Sequence, residues 1–191
     1  LKRLENRSPE EIAKNAGVEF CKEDSTFKIK SLDKVVELAY PSYKSKDKLN
    51  DWYILILLHY LDLADGTPLY HQAVHFGELK DGLIRGSRFD KTVEREFASF
   101  LSDKKDEDII NLCKSLGGEI IKSKFDLSVV FYLFPNYPVT LNIWFADDEF
   151  GAVGSMLVDK SADNYLTIED DVVAGEFMLR YIFERYNELY M

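Results

Sequence analysis

Cysteine, proline, glycine and basic residues are all scarce in this chain of 191 residues, and each shortage removes a class of protein. The two cysteines, Cys21 and Cys113, stand far apart and outside any C-x-x-C pair. They supply neither a zinc ligand set nor a disulfide framework, so a reducing, cytoplasmic setting is expected. Five prolines and ten glycines leave little material for long linkers, and a single domain over 1–191 is expected. Lys and Arg number 24 against 34 Asp and Glu, a formal net charge of −10. Affinity for phosphate backbones rests on basic side chains that displace counterions, so no nucleic acid partner is expected. The longest apolar run, Trp52 to Leu58, is far short of the roughly 18 residues that span a bilayer, and the charged N-terminus has no signal-peptide pattern. No membrane partner is expected either.

What the chain does have is apolar and aromatic mass: 46% hydrophobic residues, with 13 Phe and 11 Tyr. That is enough to bury a substantial core. Ser8-Pro9-Glu10-Glu11 sets an N-cap, a first-turn proline and a glutamate three residues past the cap, which predicts a short helix from Pro9 to about Ala16 ended by Gly17. Val18 to Cys21 and Thr26 to Lys30 read as a hairpin, with Lys34 to Tyr40 as a candidate third strand. Asn50 to Leu63 is apolar on nearly every face, which predicts a central helix buried on most sides.

Arg88 to Leu101 and Asp106 to Leu116 show helical periodicity and predict a helix pair, with Cys113 on the apolar stripe. Glu119 to Lys122 is a candidate short strand. Leu127 to Phe134 reads as a central strand, and after the Pro135 to Pro138 corner the alternation of Val139, Leu141, Ile143 and Phe145 predicts an antiparallel partner. Ser155 to Val158 adds the third strand of a meander. Thr167 then caps a long C-terminal helix whose apolar stripe runs through Ile168, Val172, Gly175, Leu179 and Ile182. The expected fold class is α+β: a mostly antiparallel sheet, built from the C-terminal meander plus the N-terminal hairpin, packed by the central helix, the helix pair and the long C-terminal helix.

Two groups of residues carry possible chemistry. His71, His75 and Glu78 have the spacing that would line three metal ligands along one helix face. Gly77, Gly82 and Gly86 argue for a mixed loop over Tyr70 to Gly86 instead, and no metal is assigned there. The acidic group is richer: Asp147, Asp148 and Glu149 in a loop, Asp159 and Asp163 on the next turn, Glu169 and Asp170 at a helix start. Such carboxylates can hold a hard cation, position a general acid and base, or simply cap turns and helices.

The order of motifs resembles the bacterial and archaeal domain of unknown function family 3786. The resemblance is carried by Leu57-Leu58-His59-Tyr60-Leu61, Gly66, Pro68-Leu69, Phe76, Glu78-Leu79, Gly82 and Leu116-Gly117-Gly118. It continues through Phe134-Pro135, Pro138, Trp144, Asp147 to Phe150, Leu157, Asp159, Ser161-Ala162, Tyr165-Leu166 and Glu169-Asp170. It covers about 18–191, and departs from the family pattern at Asp148, where glutamate is expected, and at Gly151, where proline is. The resemblance implies no activity. The resemblance also implies that some relatives carry an iron–sulfur segment beside this domain, but two isolated cysteines give this chain no cluster site, and no cofactor is expected.

Two functions from different classes follow. One is a non-catalytic binding or accessory domain holding a small molecule or protein partner between the central helix and the sheet, near Trp144, His59 and Tyr60. The other is a metal-assisted hydrolase or transferase using Asp147, Asp148 and Glu149, with His71 or His75 as proton carrier. No nucleophile elbow or phosphate loop assigns a catalytic residue.

Overall fold

The computed structural model describes Leu4 and residues 7–191; positions 1–3 and 5–6 of the expected single domain lie outside the described residues. Helix α1 (Pro9–Ala16) starts where the Ser8 side chain accepts the Glu11 amide at 3.1 Å and stops at Gly17, whose φ of +67° is the left-handed turn that glycine adopts without strain. Strands β1 (Glu19–Cys21), β2 (Thr26–Ser31) and β3 (Lys34–Ala39) follow as an antiparallel meander, so the expected hairpin has its third strand.

A second, larger sheet contains β4 (Ala73–Val74), β5 (Glu119–Ile120), β6 (Leu127–Phe134), β7 (Tyr137–Trp144) and β8 (Val153–Asp159), in the order β4-β8-β7-β6-β5 with every pairing antiparallel. The fold is α+β, and its strands divide between two sheets. The division has a local cause, because β5 occupies the free edge of β6 at Val129 and Val130. The N-terminal sheet reaches β6 only beyond that point, where the Leu32 amide donates to the Tyr132 carbonyl at 2.9 Å.

Helix α2 (Asp51–Leu63) begins at Asn50, whose side-chain oxygen accepts the Trp52 and Tyr53 amides at 2.9 and 3.3 Å. Helices α3 (Gly82–Leu101), α4 (Asp106–Ser115) and α5 (Ile168–Tyr190) complete the second layer. The period-two pattern sends Val129, Phe131 and Leu133 of β6, and Val139, Leu141 and Ile143 of β7, into one buried cluster with residues of all five helices. Packing there is tight: a β-carbon on Gly154 of β8 would stand 2.7 Å from the Phe97 ring of α3. At 23 residues α5 is about 34 Å long, enough to run past both α2 and α3.

The segment from Tyr70 to Gly86 is ordered differently from the loop its glycines suggest. It holds β4, a 3-10 turn at Phe76–Glu78 and the first turn of α3. Gly82 opens α3 and Gly86 sits one turn in, because a β-carbon on either would collide with the Phe76 carbonyl oxygen. The glycines thus serve close packing of the turn on the helix, which at Gly86 outweighs a propensity cost of about 1 kcal/mol. No helix among the described residues is long and apolar enough to cross a membrane.

Candidate binding groove

The sequence-predicted site residues fall in separate parts of the fold: His59 and Tyr60 on α2, Trp144 at the end of β7, and Asp147 to Glu149 in the loop beyond it. Tyr60 on α2 is fully buried; its hydroxyl donates to the Ala16 carbonyl at 2.6 Å and accepts the Asn136 amide at 3.0 Å. Its ring packs on Phe134 and Tyr165, and burial pushes its pKa up. Tyr60 therefore ties α1, α2 and the β6–β7 corner together. His59, the preceding residue on α2, faces outward, with Nδ1 2.7 Å from Asp170 Oδ1. Asp170 Oδ2 accepts from the Thr167 hydroxyl at 2.7 Å and closes the capping box of α5.

Trp144 ends β7 at the far side of the sheet. At about 3.4 Å per residue, the length of β7 puts it roughly 24 Å from Tyr137, the strand's first residue and the neighbour of the Tyr60 contact. Trp144 packs on Phe125, ring centroids 5.2 Å apart. The loop beyond it is a turn organised by Asp147, whose Oδ1 accepts the Glu149 and Phe150 amides at 2.8 and 2.7 Å. Those two backbone donors hold the Asp147 carboxyl below its usual pKa. Asp148 and Glu149 are exposed.

The histidine group also separates into structural parts. His71 has a positive φ of +55°, outside any helix. The His75 amide donates to Glu78 at 2.9 Å, and Asp90 accepts the Phe76 and Gly77 amides at 3.1 and 2.9 Å. Asp159, 7% exposed, accepts the Tyr70 and Gln72 amides together with the Ser161 amide and hydroxyl. Burial raises its pKa, but these four donors outweigh burial and hold it below the ordinary value. His71 and His75 flank β4, which pairs with the Asp159 end of β8. The acidic loop precedes Val153, at the other end of β8, roughly 20 Å away at about 3.4 Å per residue. Among the described residues no group of three His, Cys, Asp or Glu is placed to hold a metal ion.

Two features that no sequence motif marks lie on α5. Asp171 is completely buried; its Oδ1 accepts from the Tyr137 hydroxyl at 2.6 Å, and its Oδ2 has no partner among the described residues. Burial is the main force pushing its pKa up to about 8, and Asp163 and Asp170 push it further up against the Tyr137 hydrogen bond. A pattern signal for this existed: residue 171 is three past Ile168 and four before Gly175, on the inner face of the helix.

The second feature is a groove of about 530 Å³ between α2 and α5, inside the size range of ligand sites. Val173, Phe177 and Tyr181 recur every four residues along its floor, all half-buried. Trp52 and Leu55 of α2 form one wall, 58% and 40% exposed. Phe177 and Tyr181 stack with centroids 5.7 Å apart, Phe177 also rests on Tyr53 at 5.0 Å, and the Tyr181 hydroxyl donates to Asp33 at 3.0 Å. These contacts fix the floor before anything binds. Arg85 of α3 and Glu169 of α5 close one end as an ion pair, beside the His59–Asp170 contact. Helix α2 is thus less covered than its all-round apolar sequence implies, and the uncovered residues are the ones that line the groove.

Neither a curated protein nor a solved structure matches the chain. Residues 8–181 match a family model described as a domain of unknown function, DUF3786. The match begins ten residues before the region marked by the sequence motifs, which brings in α1. The chain belongs to the DUF3786 family.

Proposed function

We propose that this chain is a non-catalytic binding domain and that its binding surface is the groove between α2 and α5. The observation that carries the reading is the pairing of two exposed apolar residues on α2, Trp52 and Leu55, with a preformed aromatic floor of Phe177 and Tyr181 across a cavity of about 530 Å³. Water-exposed tryptophan and leucine over stacked rings gain on the order of 25 cal/mol for each Å² of apolar surface that a ligand covers. The catalytic alternative has weaker support: the Asp147 carboxylate is engaged by its own turn, and His71 and His75, the two proton carriers it would use, lie toward the opposite end of β8.

The neutral apolar fluorophore N-phenylnaphthylamine tests this reading. Titrated into the protein, it is expected to bind with enhanced emission. Trp52→Ser combined with Leu55→Ser is expected to weaken binding by at least about tenfold, the loss of roughly 1.4 kcal/mol of apolar contact. Trp144→Ser is expected to leave it unchanged. Equal binding by all three proteins would remove the groove from the account.

A further inference from the structure

Length and charge narrow the class of occupant. From Glu169 to Glu184 the lining follows α5 for about 22 Å at 1.5 Å per residue. A compact metabolite covers only part of that distance, whereas a helix of about four turns matches it. The α5 side is ridged at helical spacing: Val173, Phe177 and Tyr181 form the floor row, and Glu176, Arg180 and Glu184 form a parallel, exposed row beside it. Rows four residues apart are the ridges between which a neighbouring helix lays its own side chains.

The charges are already partly used. Arg85 is paired with Glu169, and Asp170 contacts His59. Glu176, Arg180 and Glu184 form no ion pair among the described residues. Glu176 and Glu184 are about 12 Å apart along the axis, two helical turns, with Arg180 midway. A helix lying alongside presents cationic groups at the same interval when Lys or Arg recurs every seven or eight residues, with an acidic residue between them. The chain's net charge of −10 favours approach of such a segment.

We propose that the groove receives a basic amphipathic helix of a partner protein, about four turns long. Its apolar stripe packs between Trp52, Leu55, Phe177 and Tyr181, and its Lys or Arg residues pair with Glu176 and Glu184. This rests on the groove being the binding surface.

The test uses three peptides of about 15 residues: a Leu/Lys amphipathic helix with lysines seven apart, the same peptide with Glu for Lys, and the Lys peptide broken by two prolines. Each is measured by calorimetry and by release of N-phenylnaphthylamine from the full protein. The Leu/Lys helix is expected to bind and release the probe, with the Leu/Glu helix at least about tenfold weaker and the proline peptide inactive. Glu176→Lys with Glu184→Lys is expected to reverse the preference between the first two, although the variant chain remains net acidic. A preference that survives this reversal means attraction to the whole surface and overturns the proposal. If the probe occupies the groove and no peptide releases it, the helix proposal falls while the groove reading stands. If the variant carrying Trp52→Ser and Leu55→Ser binds the probe as the wild type does, the groove reading itself falls. Release of the probe on concentrating the protein alone, with dimer formation, identifies a second copy as the occupant and also overturns the proposal.

Discussion

The two tryptophans of this chain are both partly exposed, yet they stand in opposite physical situations. Trp144 lies at the end of β7, 41% exposed, with the Phe125 ring against it and a turn beyond it that is closed by the Asp147 carboxylate. Trp52 is 58% exposed over a groove whose floor is already stacked and hydrogen-bonded into place. Both ends leave apolar surface in water, Phe150 and Val153 beside the Asp147 turn and Trp52 and Leu55 on α2; what sets the second pair apart is that it lines a cavity with a stacked aromatic floor. The acidic triplet is conspicuous in sequence because it is charged and contiguous, but each of these properties also suits a solvated turn. The groove is inconspicuous in sequence because its apolar residues come from two helices more than 100 positions apart.

The carboxylates divide the same way, and the largest expected effect concerns Asp171. Its pKa is raised from 3.8 to about 8 by burial, so the folded protein holds a proton there that the unfolded chain releases. The stability it supports is complete below pH 3.8, falls as pH rises, and is lost by about pH 8. Chemical denaturation of wild type and Asp171→Asn is expected to give equal stabilities near pH 4 and a variant more stable by several kcal/mol near pH 8, on the order of 1.4 kcal/mol for each tenfold difference in proton affinity between the folded and unfolded states. Parallel curves would mean that the buried carboxyl is compensated.

Next in size is the support of the groove's closed end. Gly86→Ala drives a β-carbon into the Phe76 carbonyl at the base of α3, and an overpacking cost of about 1–3 kcal/mol is expected in urea denaturation. A neutral result would show that the 3-10 turn and α3 are not tightly joined. Smaller again is the effect of Trp52→Ser, expected to change stability by less than about 1 kcal/mol while weakening the fluorophore, because the side chain is mostly in water. A large loss of stability would make Trp52 a packing residue and blur its contrast with Trp144. The smallest effect belongs to Asp147→Ala, expected to lower the melting temperature by no more than about 2 °C. Its carboxyl is held below 3.8 by backbone donors. The wild-type advantage is therefore present above that pH and disappears as pH falls through the lower folded value.

Local chemistry made much of the fold legible. Ser8, Gly17, Asn50 and Thr167 act as caps where their side chains or backbone angles demand it, and the alternation from Val139 to Ile143 faces the core as period two requires. Two readings needed tertiary information. Gly82 and Gly86 look like helix breakers until the Phe76 carbonyl against them is known. Asp171 looks like part of a capping cluster until its inward position is combined with Tyr137, which is 34 residues away. The expected site near Trp144, His59 and Tyr60 drew on both ends of β7, and strand length alone separates them. The clue to the groove was the surplus of apolar faces on α2, which fits complete burial equally well until Trp52 and Leu55 are located.

Energy transfer from each tryptophan to bound N-phenylnaphthylamine locates the binding surface, using Trp144→Phe to leave Trp52 as the one tryptophan donor and Trp52→Phe to leave Trp144. With the probe in the groove, efficient transfer is expected from Trp52 and little from Trp144. Efficient transfer from Trp144 with little from Trp52 would place the binding surface at the acidic-loop end and contradict the groove account.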